Sequence, residues 1–151
     1  MQTRKTPGSG CRVRDYMTQN PVTLDSSHSL LEAAVRLRSS GFRHLPIVVD
    51  GALVGMLSDR DVARLSPTLL LPHSAEEHHR VLRETTVGAV MTREPVGITP
   101  EAPLRDAVEL LRRHRLGCLP VLEDGKLVGI ITNRDMLGAL LDQLDPGRQA
   151  A

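Results

Sequence analysis

Asp50-Gly51-Ala52-Leu53-Val54-Gly55-Met56-Leu57-Ser58-Asp59-Arg60-Asp61 is answered later in the chain by Asp124-Gly125-Lys126-Leu127-Val128-Gly129-Ile130-Ile131-Thr132-Asn133-Arg134-Asp135. The offset of 74 holds without a gap over 13–62 and 87–136, where 18 of 50 aligned positions are identical. Asp-Gly between two apolar runs is a hairpin signal, because glycine accepts positive φ in a tight turn. Gly-apolar-apolar-[Ser/Thr]-x-Arg-Asp then reads as a strand ending where a helix begins. An internal repeat of this length sets the architecture, because two like units bury apolar faces that neither buries alone.

Working outward, each copy reads the same way. A short helical turn ends at Met17 or Met91, and a brief strand follows Pro21 or Pro95. Apolar spacing predicts helices over 30–40 and 104–114, the first stopped by Gly41 and the second with Pro103 in its first turn. Leu104, Ala107, Val108 and Leu111 share one face of the second. Strands are expected over 44–49 and 53–57, then 118–122 and 127–131. A last helix runs to about residue 144, with Met136, Leu137, Leu140, Leu141 and Leu144 in an apolar stripe. The fold class is α/β, a βαββα unit used twice. The domains are a polar leader 1–12, a first repeat 13–65, a connector 66–86, a second repeat 87–144 and a tail 145–151. In the connector, Ser74-x-x-Glu77 is a capping-box pattern that starts a helix reaching about residue 84, and Leu69-Leu70-Leu71 packs down or meets a second copy.

Composition excludes several functions. The 151 residues suffice for one real core, whereas two units of about 50 would be marginal apart. A net charge of +1 gives no field to steer nucleic acid or anionic lipid. Tyr16 and Phe42 are the only aromatic residues, so no base-stacking platform can be built, and nucleic acid is not the expected partner. No run approaches the roughly 18 to 20 apolar residues that cross a bilayer, and the N-terminus has no apolar core of a secretory signal. Cys11 and Cys118 form no disulfide framework, which suits a reducing, cytoplasmic setting.

The residues that carry chemistry are Ser58, Arg60 and Asp61, and Thr132, Arg134 and Asp135. Two readings of this pattern stand side by side. In one it is a capping box, with the hydroxyl accepting from the third helical N–H and the carboxylate reaching back. In the other, a helix start and its hydroxyl receive a phosphate, the carboxylate accepts both hydroxyls of a ribose, and the arginine neutralises charge. His73, His78 and His79 with Glu76 and Glu77 do not converge as metal ligands, since adjacent histidines leave a helix on different faces. Arg112-Arg113-His114-Arg115 reads as a solvated helix end. No nucleophile elbow, phosphate loop or paired carboxylates are present, so no catalytic residue is assigned and the chain is not expected to be an enzyme.

The chain resembles a tandem pair of cystathionine-β-synthase (CBS) domains over about residues 13–144. The resemblance rests on Met17-Thr18-x-x-Pro21-Val22-Thr23, Arg43-His44-Leu45-Pro46-Ile47-Val48, Asp50-Gly51-x-Leu53-Val54-Gly55 and Ser58-Asp59-Arg60-Asp61, with their second copies. The second copies are Met91-Thr92-x-x-Pro95-Val96-Gly97, Gly117-Cys118-Leu119-Pro120-Val121-Leu122, Asp124-Gly125-Lys126-Leu127-Val128-Gly129 and Thr132-Asn133-Arg134-Asp135. The resemblance implies a stand-alone Bateman module: two repeats packed sheet to sheet with pseudo-twofold symmetry, two clefts, and a homodimer formed through helices. It implies a regulatory ligand of the adenosine type: AMP, ADP, ATP, S-adenosylmethionine or, less often, a dinucleotide. No further cofactor or metal is required, and the output goes to a separate regulated protein. The alternative is a ligand-free dimerisation module.

On the family's pattern Asp61 and Asp135 hold ribose, while Ser58 and Thr132 lie near ribose or phosphate. Leu45, Pro46, Ile47, Leu119, Pro120 and Val121 line the adenine. Clefts built across the repeats pair Thr132 and Asp135 with Thr23 and 45–48, and Ser58 and Asp61 with Gly97 and 119–122. Gly97 replaces Thr23, and Gly117-Cys118 replaces Arg43-His44, so the two sites are unlike. A phosphate at His44 makes binding pH-sensitive.

Overall fold

Both Asp-Gly corners take the turn that their composition requires. Asp50 and Gly51 have φ of 49° and 80°, and Asp124 and Gly125 have φ of 49° and 76°. Positive φ at both central positions is the type I′ geometry, whose twist matches the flanking strands. The computed structural model describes residues 10–65, 75–145 and 147. After a 3-10 turn at Val13–Asp15 come β1 (Thr18–Gln19), β2 (Leu24–Asp25), α1 (Leu30–Ser40), β3 (His44–Val49), β4 (Ala52–Ser58) and α2 (Asp59–Leu65). Then follow α3 (Ala75–Glu84), α4 (Val87–Val90), β5 (Thr92–Arg93), α5 (Leu104–His114), β6 (Cys118–Glu123), β7 (Lys126–Thr132) and α6 (Asn133–Leu144).

These elements form two compact units, and neither is a simple sequence repeat. One is Val22–Pro95; the other joins the described residues of Met1–Pro21 to those of Val96–Ala151. In the Val22–Pro95 unit the sheet order is β2-β3-β4-β5. β2 runs parallel to β3 with Leu24 beside Ile47, and β3 is antiparallel to β4 from His44/Ser58 to Val49/Ala52. Leu24, Leu30, Ala33, Leu37, Leu45, Ile47, Leu57, Val62, Leu82, Val87 and Met91 make its core. In the other unit the order is β1-β7-β6, and Val13, Ile98, Ala107, Leu111, Leu119, Val121 and Ile131 make the core.

The segment leading into each repeat thus serves the other repeat's sheet. β1 lies antiparallel on β7, with Thr18 opposite Ile130, and β5 lies on β4, with Met56 opposite Thr92. Glycine makes this possible. A Cβ at Gly55 would meet the Met91 side chain and stand 2.9 Å from the Thr92 carbonyl. One at Gly129 would stand 2.7 Å from the Thr18 carbonyl and 3.0 Å from Met17 Sδ.

The helices at 30–40 and 104–114 and the strand at 44–49 stand as expected. β4 and β7 each extend one residue further at both ends, and β6 one residue further at its end. Ser29 and Glu32 form a full capping box at α1, and Gly41 ends it with φ 69°. Four readings need correction. β1 and β5 are additional strands, two residues long and set by tertiary pairing that no local periodicity announces. The strand expected after Pro95 is a single parallel bridge between Ile98 and Val121. Pro103 stands at the N-cap of α5, one place before its first turn. Val108 is 45% exposed and so lies off the buried face of α5. The readings at 1–9, Ser66-Pro67, Leu69-Leu70-Leu71, Leu71-Pro72, His73, Ser74 and most of the tail lie outside the described residues.

Two substitutions test this packing. Gly55→Val and Gly129→Val push against a crossing backbone carbonyl and should each destabilise the fold by about 1–3 kcal/mol in urea unfolding. Arg115, at φ 53°, holds the left-handed C-cap place that Gly41 holds in α1. Arg115→Gly should therefore raise the melting temperature, by a gain of about 0.5–1 kcal/mol.

Candidate functional site

Where β4 becomes α2, the Ser58 hydroxyl donates to Asp61 Oδ2 at 2.8 Å and accepts from the Asp61 backbone N–H at 3.2 Å. The Ser58 backbone N–H donates to the same Oδ2 at 2.8 Å. Where β7 becomes α6, the pattern repeats: Thr132 N–H to Asp135 Oδ2 at 2.7 Å, hydroxyl to Oδ2 at 2.9 Å, and Asp135 N–H to the Thr132 hydroxyl at 3.4 Å. These are reciprocal capping boxes, so the capping reading of the motif is correct as local structure. It does not exhaust the carboxylate. Oδ2 takes every bond, and Oδ1 accepts none among the described residues at either corner.

The strand beside each corner supplies its neighbours. His44 pairs with Ser58 across the β3–β4 ladder, and Cys118 pairs with Thr132 across β6–β7. A backbone clamp closes each arrangement: Asp59 N–H donates to the Arg43 carbonyl at 2.9 Å and Asn133 N–H to the Gly117 carbonyl at 3.1 Å. Leu45, Pro46 and Ile47, and Leu119, Pro120 and Val121, are all buried. Thr23 directly precedes Leu24, the partner of Ile47, which puts it level with Pro46 of β3. Gly97 likewise precedes Ile98, which bonds the Pro120 carbonyl at 3.0 Å. One unit holds Thr23, Arg43, His44, Ser58, Arg60 and Asp61, and the other holds Gly97, Gly117, Cys118, Thr132, Arg134 and Asp135, so the expected pairing of Thr132 and Asp135 with Thr23, and of Ser58 and Asp61 with Gly97, joins residues of different units.

Electrostatics separate the corners. Burial is the largest influence on His44 and pushes its pKa below the ordinary 6.5; Asp59 and Asp61 oppose this, while Arg43 and Arg60 reinforce it. Burial, assisted by Asp135, pushes the Cys118 thiol up to about 12, so it stays protonated and unreactive at neutral pH. Arg43 Nε lies 3.4 Å from Asp59 Oδ2. Arg60 and Arg134 are exposed and form no ion pair among the described residues.

Asp59 is the residue that sequence reasoning passed over. It holds Arg43 and faces His44, and its signal was the substitution of Asn133 at the matching place. Among the described residues no three His, Cys, Asp or Glu side chains group as a metal site. A recess of about 780 Å³ is lined by Ala75, Glu76, Glu77, His79, Arg80 and Arg83, all on α3, and includes none of the corner residues. Arg112, Arg113, His114 and Arg115 are exposed at the end of α5, as a solvated helix end should be. No described helix is long and apolar enough to cross a membrane.

The family model for the CBS domain matches residues 13–67 and 87–142. A CBS domain-containing protein of Dictyostelium discoideum is 32% identical over 136 residues, covering 89% of this chain and 94% of that one. The solved structure of CBSX2 in complex with AMP is 30% identical with a TM-score of 0.74, covering 86% of this chain and 96% of that one. The CBS domain pair of protein MJ0100, solved with 5′-methylthioadenosine and S-adenosyl-L-methionine, is 26% identical with a TM-score of 0.71, covering 86% and 95%.

The corner geometry has two measurable consequences. Ser58→Ala and Thr132→Ala each remove a cap and should cost about 1 kcal/mol in chemical unfolding. His44 has a depressed pKa in the folded chain, so its contribution to stability is present above the ordinary value of 6.5 and lost as pH falls through the folded value. Wild type should lose melting temperature more steeply than His44→Gln on acidification below that point.

Proposed function

The chain belongs to the CBS domain family, and from that premise we propose that it is a regulatory module, not an enzyme, that binds an adenosine-type ligand. AMP, ADP, ATP and S-adenosylmethionine are the candidates. The observation that carries the reading is the spare Oδ1 of Asp61 and Asp135, beside carboxylates whose other oxygen is fully engaged. A carboxylate so held accepts ribose hydroxyls without first being ordered, which lowers the cost of binding. The buried runs at 45–47 and 119–121 offer aliphatic and backbone contacts to adenine, as a chain with two aromatic residues must. Ser58 or Thr132, Thr23, Arg43, His44, Arg60 and Arg134 are the groups for the sugar and its 5′ substituent. The AMP complex of CBSX2 and the S-adenosyl-L-methionine complex of MJ0100 support this ligand class. We place the module in the cytoplasm, acting on a separate protein. The ligand acts by binding one arrangement of the module better than another, since equal affinity shifts nothing.

A second feature favours self-association. Leu137, Leu140, Leu141 and Leu144 follow helical spacing on α6 and are 63%, 48%, 60% and 67% exposed. A stripe of four exposed leucines is an expensive surface to leave in water. The homodimer is proposed to form through it, and it would be the whole function if no ligand binds.

Calorimetry with AMP, ATP and S-adenosylmethionine should show binding tighter than about 1 mM. Asp61→Asn and Asp135→Asn should each remove ligand-dependent thermal stabilisation at their own corner, and the double variant all of it. Folded protein that binds none of the three ligands contradicts the sensor reading. In sedimentation, Leu141→Glu should shift the chain from dimer to monomer, and a monomeric wild type contradicts the dimer.

A further inference from the structure

The two corners share a carboxylate, a hydroxyl and an arginine, but differ in the side chain opposite the cap. His44 stands across the ladder from Ser58, half-buried, with Asp59 and Asp61 acting on its ring from α2 and Arg43 and Arg60 acting against them. Thr23, from β2 on the same sheet, adds no charge. In the other unit the matching residue is Cys118, with Gly117 in place of Arg43 and Asn133 in place of Asp59. With the imidazole neutral, Arg43 and Arg60 balance Asp59 and Asp61, and Arg134 balances Asp135. The extra arginine therefore does not by itself make one corner more attractive to an anion, because Asp59 already neutralises it. Only a proton on His44 separates them. The thiol of Cys118 remains neutral with or without a ligand and offers no such proton.

We propose that His44 makes the Asp61 corner the phosphate-reading site of the pair, taking up a proton when a phosphorylated adenosine ligand binds, whereas the Asp135 corner binds without proton uptake. This rests on the adenosine-ligand reading above and adds the discrimination between ligands. Burial keeps the free imidazole neutral near pH 7. A phosphate dianion placed beside it adds negative charge to that of Asp59 and Asp61 and favours the imidazolium. Affinity for the phosphate is then highest below the titration range of the free imidazole. It is lost as pH rises through that of the bound one. A ligand without phosphate, such as adenosine, gives no such gain.

The test is calorimetry on the full chain with AMP and with adenosine, in two buffers of different ionisation enthalpy, at about pH 6, 7 and 8. A phosphate group titrates near pH 6, so uptake at about pH 7.5 or above belongs to the protein. Wild type should take up a fraction of a proton per AMP and tighten for AMP about 3- to 10-fold more than His44→Gln as pH falls from about 8 to 6. Adenosine should show neither effect. AMP binding with the same proton count and pH slope in His44→Gln as in wild type overturns this inference and leaves the adenosine reading standing. If His44→Gln does not fold, AMP binding to wild type with no proton uptake above pH 7.5 overturns it equally. Absence of binding by both AMP and adenosine refutes the adenosine reading and this inference with it.

Discussion

A single reciprocal hydrogen-bond pair, used twice, organises this molecule. At each strand-to-helix corner a hydroxyl and a carboxylate three residues apart satisfy each other's backbone N–H groups, and the hydroxyl also donates to the carboxylate. The first turn of a helix leaves N–H groups without intrahelical partners, so this arrangement stabilises the helix start. Its second effect bears on recognition. The carboxylate gives up its rotational freedom to the cap, and among the described residues its other oxygen accepts no hydrogen bond. The capping bonds therefore do not exclude the proposed ligand binding, and the two are not rival explanations of one motif.

The architecture around the corners follows from chain exchange. The opening segment of the first repeat completes the sheet of the second, and the opening segment of the second completes the sheet of the first. Neither sheet is complete with the strands of its own repeat. The crossing points are the two glycines of the repeated Leu-Val-Gly, where a side chain would collide with a carbonyl of the arriving strand. Each of those glycines sits three residues before a capping hydroxyl, so the support of the sheet and the placement of the candidate site are encoded in one short stretch.

Much of this was legible in the sequence, for identifiable reasons. The helices at 30–40 and 104–114 show apolar periodicity, and Gly41 gives the first a clear stop. The hairpins carry Asp-Gly, which leaves little choice of turn. The family could be read from motifs whose order and duplication are specific though each alone is loose. β1 and β5 were hidden because two residues carry no period and pair only by tertiary contact. The outward face of the α6 leucines was hidden because an apolar stripe looks alike whether it meets a core or a second copy. Asp59 was hidden by its position: as the variable residue of the motif it carried no pattern, yet it neutralises Arg43 and so decides the charge of its corner.

On the proposed function, the second oxygen of each capped carboxylate receives the hydroxyls of a ribose. A crystal structure of the chain grown with saturating AMP tests it most directly. Ribose hydroxyls should lie within hydrogen-bond distance of Oδ1 of Asp61 or Asp135 while Oδ2 keeps its bonds to Ser58 or Thr132. Ordered AMP bound elsewhere, or both carboxylates bonded only to their caps with no ligand beside them, would contradict it.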